Sequence, residues 1–150
     1  MAETDSTGGP PTEEILVDRA RAAMRAAYAP YSGFRVGAAI EAEDGRVFIG
    51  CNVENASYPV GVCAERAALG SAVVSGARAF RRIAVATGGD RPASPCGMCR
   101  QALSEFGTAL EVVSVSEMGG RRDWTLEELL PFAFRPAHLG VEPHPLEGDA

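Results

Sequence analysis

The stretch Pro95-Cys96-Gly97-Met98-Cys99 places two thiols three positions apart, where a helix is expected to begin. Side chains at i and i+3 lie on one face of a helix, so both sulfurs can reach the same ion. Taken alone, such a pair is compatible with redox chemistry, with zinc binding or with incidental packing. A second motif is needed to choose among these.

That motif is Cys63-Ala64-Glu65-Arg66, which also stands where a helix should begin. Residues two apart on a helix point about 200° apart, so Cys63 and Glu65 can face one target only across the helix end. Two helix N-termini aimed at one point create a positive spot that lowers thiol pKa and favours a site of three thiolates. Three ligands, Cys63, Cys96 and Cys99, would leave the fourth position of a zinc ion open for water, which is the catalytic arrangement.

The two motifs together, in this order, indicate a function more specifically than either motif alone. Zinc deaminases of nucleobases carry a ligand two residues before a glutamate, and later a Pro-Cys-x-x-Cys segment. In that class the glutamate binds no metal and moves protons instead. The chain therefore predicts a functional zinc site with Glu65 as the proton shuttle.

The chain resembles the cytidine deaminase family over roughly residues 13–135. The resemblance rests on Tyr31-Ser32-x-Phe34-x-Val36-Gly37-Ala38, Gly50-Cys51-Asn52-Val53-Glu54-Asn55-Ala56-Ser57-Tyr58-Pro59, the Cys63 motif, Pro95-Cys96-Gly97-x-Cys99-Arg100-Gln101 and Leu129-Leu130-Pro131-x-Ala133-Phe134. Cys instead of His at position 63, together with the short chain, resembles the homotetrameric branch of the family. Arg35 departs from the pattern, because many relatives have proline there.

The resemblance implies an α/β fold, a three-layer α/β/α sandwich with a mixed central sheet. It implies one Zn²⁺ per subunit and hydrolytic deamination of cytidine and deoxycytidine to uridine and deoxyuridine, with release of ammonia, in pyrimidine salvage. A water activated by zinc would attack C4 of the base while Glu65 shuttles protons.

The resemblance also implies which residues bind the sugar. Asn52 and Glu54 are expected on a strand, where side chains two apart share a face, and the resemblance implies that both bond the ribose. Their neighbours Cys51 and Val53 are then expected to point into the core. On this interpretation Cys51 is an inert packed thiol.

The resemblance also implies the contacts to the base and to neighbouring subunits. Phe34 would stack on the base, and the Ala64 N–H would hold the base carbonyl. Phe134, and less directly Tyr58, would reach a neighbouring subunit's site. The partners expected are thus a small nucleoside and further copies of this chain.

Three thiolates and Zn²⁺ sum to a charge of −1, which opposes the ionisation of a bound water. Arg66, next to Glu65, is the natural compensator, since a charge about 4 Å away is worth on the order of 4 kcal/mol at an effective dielectric near 20. The resemblance also places Gln101 in support of the metal ligands.

Hydrophobic periodicity predicts one domain at 12–135 with eight elements. They are a helix from Thr12 to about Tyr28, strands at 34–41 and 47–54, a helix at 63–75, a strand at 82–87, a helix at 96–107, a strand at 110–115 and a short helix at 125–130. This order suggests a mixed sheet with helices on both faces. Residues 1–11 are expected to form a flexible tail, and 136–150 an acidic, Pro-rich tail in which His138 and His144 are solvated.

Composition excludes several function classes. The net charge of −6 is concentrated at the ends, and no basic stripe is present, so nucleic acid is not an expected partner. No apolar run approaches the roughly 20 residues that span a bilayer, and the acidic start is unlike a signal peptide, so a cytoplasmic protein is expected. All fourteen basic residues are Arg, which rules out Schiff-base catalysis by lysine.

Three alternatives stay open at this point. The chain could deaminate another aminated nucleoside, such as a blasticidin-S-like antibiotic. It could edit RNA or DNA, although the missing basic patch argues against that. It could also be a zinc-stabilised binding module, in which case Cys51 would have to act as a fourth ligand.

Overall fold

The computed structural model describes residues 11–143, in which helices and strands alternate in the predicted order with one strand added. The helices are α1 (Glu13–Arg25), α2 (Ala64–Val74), α3 (Gly97–Ser104) and α4 (Leu126–Leu129). The strands are β1 (Val36–Ala42), β2 (Val47–Cys51), β3 (Phe80–Thr87), β4 (Glu111–Ser116) and β5 (Arg121–Thr125). Two short 3-10 helices cover Tyr58–Val60 and Pro136–Leu139. The parts of the predicted tails at 1–10 and 144–150, with His144, lie outside the described residues.

The five strands form one mixed sheet in the order β2-β1-β3-β4-β5. Only β3 and β4 are parallel, and α3 lies in the crossover that joins them. Helix α1 packs on one face of the sheet, whereas residues of α2, α3 and α4 share the hydrophobic core of the other face. The predicted three-layer α/β/α fold with a mixed central sheet is therefore confirmed. No helix in the described part of the chain is long and apolar enough to cross a membrane.

Helix α1 is built as its sequence predicts, but it is shorter. The Thr12 hydroxyl caps the first turn, and the buried stripe follows helical spacing. The helix ends at Arg25 instead of near Tyr28, because the Tyr28 N–H donates to the Asn52 carbonyl at 3.0 Å. Residue 28 thus leaves the helix to form a bridge with Val53.

Two glycines bring helices unusually close to the sheet. A Cβ atom at Gly37 of β1 would lie 2.1 Å from the Ala20 carbonyl oxygen of α1. A Cβ at Gly50 of β2 would lie 2.4 Å from the Ala68 nitrogen of α2. Because neither glycine carries a side chain, both helices sit directly on the strands, and the first turn of α2 is held at a fixed height above the sheet.

The predicted ends of the strands need correction at the site. Strand β2 stops at Cys51, so Asn52 and Glu54 lie beyond it instead of within it. The backbone there forms isolated bridges from Val53 to Tyr28 and Val62 instead of continuing along β1. Val53 is 44% exposed in the single chain, so the expectation that it points into the core is wrong.

Strand β5 was not predicted from the sequence. Its residues, RRDWT, are mostly charged and show no apolar alternation, and the strand pairs antiparallel with β4 at the edge of the sheet. Charged side chains on an edge strand discourage pairing with other chains, which explains why the hydrophobic pattern is weak here.

A carboxylate is buried in the sheet away from the cysteines. Glu41 of β1 is fully buried and stands opposite Arg82 of β3, whose Nε lies 2.8 Å from the Glu41 Oε2. The Arg81 Nη1 lies 3.8 Å from the other carboxylate oxygen. Burial raises the pKa of Glu41, while the charges of Arg82 and Arg81 oppose that rise.

We predict that Arg82→Leu lowers the free energy of unfolding by about 3 kcal/mol near neutral pH, because it strands a buried charge. Adding Glu41→Gln should recover most of that loss. Since the folded pKa of Glu41 is raised, stability linked to its protonation is present at low pH and is lost as pH rises. Arg82→Leu should therefore regain stability below about pH 5 relative to the double variant. Urea denaturation at fixed protein concentration measures both effects. Additive effects of the two substitutions would contradict the pairing.

Candidate active site and metal centre

The three predicted ligands converge at two helix N-termini. Cys63 is the N-cap residue of α2, Cys96 is the N-cap residue of α3, and Cys99 is the third residue of α3. Their sulfur atoms all lie within 4.8 Å of one another, and the Cys63 and Cys96 sulfurs are 3.8 Å apart. The N-cap and third positions approach each other at any helix start, which is why a C-x-x-C segment can present both thiols to one point.

This donor set fits zinc. A tetrahedral ion with Zn–S bonds of about 2.3 Å separates its sulfurs by about 3.8 Å, which is the Cys63–Cys96 spacing. Burial, together with neighbouring negative groups, raises the pKa of Cys63 and Cys99. Burial also opposes ionisation of Cys96, but hydrogen bonds from the Cys99 backbone and from both other thiols outweigh it and lower its pKa. Three thiolates at this spacing therefore need a cation between them.

The loop that delivers Cys96 is fixed by Arg100 of α3. Its guanidinium donates to the Pro95 carbonyl at 2.7 Å, to the Ser94 Oγ at 2.7 Å and to the Leu129 carbonyl at 2.9 Å. These bonds connect the residues before Cys96 to the end of α4. The backbone before this metal ligand is thereby held by both α3 and α4.

Glu65 lies in the first turn of α2, beside Cys63. Its side chain is only 5% exposed and lines the same cavity as Cys63 and Cys96. Burial raises the pKa of Glu65, and the Cys99 thiol and the Arg66 charge only partly oppose this. A carboxyl group whose pKa is moved toward neutrality can both accept and donate a proton, as the predicted shuttle role requires.

The cavity beside the sulfurs has a volume of about 200 Å³ and is mostly apolar. Its lining includes the predicted residues Phe34, Asn52, Cys63, Ala64, Glu65 and Cys96. It also includes residues that the sequence analysis missed: Val36, Val85, Thr87, Ala93 and Ser94. Val85 and Thr87 lie at the carboxyl end of the parallel strand β3, where α/β sheets commonly bind ligands, so strand order could have identified them.

Asn52 and Glu54 contact the same short segment of the chain, although they lie beyond strand β2. The Asn52 amide bonds the Val36 N–H and the Phe34 carbonyl, each at 2.8 Å. Glu54 accepts the N–H groups of Tyr31 and Ser32 at 2.9 and 3.0 Å. Both predicted sugar-binding residues thus hold the loop that carries Phe34, and that contact was not predicted.

The two supporting residues occupy different surroundings. The Arg66 Nη2 donates to the Gly61 carbonyl at 3.4 Å, and its Nε is buried without a hydrogen-bond partner in the described part of the chain. Gln101 donates through Nε2 to the Phe134 carbonyl at 2.8 Å, so it attaches the Phe134 segment to α3. Its hydrogen bond therefore goes to the Phe134 backbone.

Tyr58 and Phe134 are both exposed in the single chain. The Tyr58 side chain is 75% exposed and meets the Tyr31 ring edge to face at 6.0 Å. The Phe134 ring stacks on exposed His138 at 5.3 Å and is not part of the lining of the cavity beside the sulfurs. Within one chain, neither residue completes this cavity.

Cys51 does not join the other three cysteines. It is a half-buried free thiol near the end of β2, and the metal-ligand group found among residues 11–143 consists of Cys63, Cys96 and Cys99. The zinc-stabilised module considered above required Cys51 as a fourth ligand. That alternative gains no support from the structure.

Comparison with known proteins agrees with this geometry. A family profile described as the cytidine and deoxycytidylate deaminase zinc-binding region matches residues 10–115. The chain belongs to the cytidine and deoxycytidylate deaminase family. The zinc-binding character of this family agrees with the three-cysteine cluster, which fits one Zn²⁺ per subunit.

Individual members of the family are similar over most of their length. A cytidine deaminase of Sporosarcina psychrophila is 43% identical over 127 residues, which cover 84% of this chain and 93% of that protein. The crystal structure of the cytidine deaminase from Burkholderia pseudomallei has a TM-score of 0.79 and 50% identity, and it covers 83% of this chain and 100% of its own. The structure of the Mycobacterium tuberculosis cytidine deaminase has a TM-score of 0.71 and 37% identity, covering 83% and 98%.

We predict that the purified protein holds one zinc ion per chain and that Cys63→Ser, Cys96→Ser and Cys99→Ser each lose most of it. Serine keeps the size of the side chain but offers a poor ligand for zinc. Cys51→Ser is the matched control and should keep its zinc. Metal content measured by atomic emission tests this, and loss of zinc from the Cys51 variant would favour a closed structural site.

Proposed function

We propose that this protein hydrolyses cytidine and deoxycytidine to uridine and deoxyuridine and releases ammonia. The observation that carries the proposal is the buried carboxyl group of Glu65 beside three clustered sulfurs, at the wall of a cavity that Phe34 also lines. The similar proteins named cytidine deaminase support the choice of substrate. The proposal places this chemistry in pyrimidine salvage.

Zinc, when bound by Cys63, Cys96 and Cys99, would lower the pKa of a water molecule and so supply the nucleophile near neutral pH. Glu65 would take a proton from the attacking water and pass it to ring nitrogen N3 of the base. It would then move the second proton to the amino group, which leaves C4 as ammonia. Its raised pKa suits these successive transfers.

Binding of the base would use the first turn of α2 and the ring of Phe34. Ala64 is the first residue of the helix, so its N–H has no partner within the helix and can donate to the base carbonyl. The cavity of about 200 Å³ is smaller than most ligand sites, which suits a pyrimidine ring with the sugar at the opening. Asn52 lines this cavity and Glu54 lines a second one with Tyr58; both residues would bond the ribose hydroxyls.

We predict that Glu65→Gln keeps its zinc but loses at least about a thousandfold in turnover, because the amide cannot shuttle protons. Ammonia release from cytidine, deoxycytidine, cytosine and adenosine, measured with zinc content, checks this. Glu43→Gln, in the exposed β1–β2 turn, is the matched control and should retain full activity. A Glu65→Gln enzyme that stays active would contradict the shuttle role.

We also infer that the protein acts as a homotetramer in which active sites lie near subunit interfaces. Exposed aromatic side chains support this: Phe132 is 96% exposed, and Phe134 and Tyr58 are exposed as well. Aromatic side chains are enriched at the buried centres of protein interfaces. Four free thiols suit a reducing compartment, so we place the enzyme in the cytoplasm. Because the net charge of −6 would repel the phosphate backbone, we do not expect nucleic acid to be a partner.

We predict a particle of about four times the chain mass of 15.7 kDa by light scattering after size exclusion. Phe134→Ala should lower turnover if its ring serves a neighbouring site. Dissociating and mixing Phe134→Ala with Glu65→Gln chains should then restore part of the activity, because some sites combine intact residues from two chains. Absence of recovery would place Phe134 at its own chain's site.

A further inference from the structure

Side chains hold the backbone of Phe34 on both sides. The Phe34 N–H donates to the Ser32 Oγ at 3.0 Å, and the Phe34 carbonyl accepts a hydrogen bond from the Asn52 Nδ2 at 2.8 Å. The Asn52 Oδ1 accepts the Val36 N–H at 2.8 Å. Both polar groups of the Phe34 backbone are thus bonded within the chain, and the ring they carry lines the cavity.

Ser32 is fixed in turn by Glu54. The Ser32 hydroxyl donates its one proton to the Glu54 Oε2, which leaves an oxygen lone pair for the Phe34 N–H. The other carboxylate oxygen accepts the N–H groups of Tyr31 and Ser32. The hydrogen bond from the Ser32 hydroxyl is the main cause that lowers the pKa of Glu54, so the carboxylate is charged. Gly33, at φ +70°, provides the tight turn that lets residue 32 reach residue 34.

We propose that Ser32 is a positioning residue, which relays the Glu54 carboxylate to the Phe34 backbone and so sets the aromatic wall of the pocket. Asn52 holds the other side of the same peptide. This hydrogen-bonded relay exists in the protein without substrate. Only the identity of the group that the Phe34 ring packs against, a pyrimidine base, rests on the proposed function. Under the proposed function, Glu54 and Asn52 would act on the substrate twice, directly through the sugar and indirectly through Phe34.

We predict that Ser32→Ala raises KM for cytidine roughly tenfold and leaves kcat within about twofold, as the loss of one charge-assisted hydrogen bond would. The reason is that a stacking wall binds the base equally before and during reaction. Ser32→Thr keeps a hydroxyl and should restore KM. Ser75→Ala, which removes an exposed hydroxyl at the end of α2 that bonds the Ser71 carbonyl, is the matched control. A Ser32→Ala enzyme with a lower kcat and an unchanged KM would overturn the relay, because it would indicate general loss of folded protein.

Two further comparisons separate the relay from a direct sugar contact. In a Phe34→Leu background, Ser32→Ala should add less than about twofold to KM, because both changes disturb one wall. Glu54→Gln should still weaken binding of 2′,3′-dideoxycytidine, which lacks the 2′ and 3′ hydroxyls and keeps only the 5′ hydroxyl. Additive effects of the Ser32 and Phe34 changes, or a Glu54→Gln effect that disappears with the dideoxynucleoside, would overturn the relay.

Amide hydrogen exchange followed by NMR tests the relay without any turnover. In the zinc-loaded protein free of nucleoside, Ser32→Ala should speed exchange at the Phe34 amide roughly tenfold and leave the Val36 amide unchanged. Asn52→Ala should have its larger effect on the Val36 amide. Unchanged exchange at Phe34 in Ser32→Ala would overturn the relay. Correct exchange in a protein that releases no ammonia from cytosine nucleosides would overturn the proposed function and leave the relay standing.

Discussion

The convergence of two helix N-termini on one point organises this structure. Cys63 and Cys96 are N-cap residues, so their sulfurs lie next to the positive ends of two helices. The helix ends alone do not let all three thiols ionise, because burial raises the pKa of Cys63 and Cys99. Metal binding and the relative position of α2 and α3 are therefore linked, and any change that separates the helices weakens the site.

The scaffold supplies that position through contacts remote from the metal. Gly50 allows α2 to lie directly on β2, which fixes the height of Cys63 and Glu65 together. Arg100 joins the residues before Cys96 to the end of α4. Because Glu65 lies in the first turn of the helix that Cys63 caps, the geometry that places the ligand also places the acid. The burial that would penalise a carboxylate elsewhere is useful here, since it keeps a proton available.

The spacing of the motifs predicted those features of the fold and of the site that depend on local geometry. A C-x-x-C pair at a helix start and a Cys-x-Glu pair at another can meet only in a few ways, and helix periodicity and Thr12 located α1. Contacts between distant segments were not predictable in this way. Asn52 was expected on a strand, but the Tyr28 N–H takes its carbonyl and the chain turns away. Strand β5 carries mostly charged residues, so its pairing with β4 leaves no hydrophobic pattern to read.

For the same reason, Ser32 belongs to the motif from Tyr31 to Ala38 and yet the sequence predicts no role for it. A serine offers one proton and two lone pairs, and sequence alone does not tell which neighbours use them. In the fold the proton goes to Glu54 and a lone pair goes to the Phe34 N–H, so an exposed loop gains a defined shape. Ordering a loop at the moment of binding costs free energy that would otherwise appear as affinity. A loop whose polar groups are already bonded avoids much of that cost, and the exposed position of the Phe34 ring is then compatible with a precise fit.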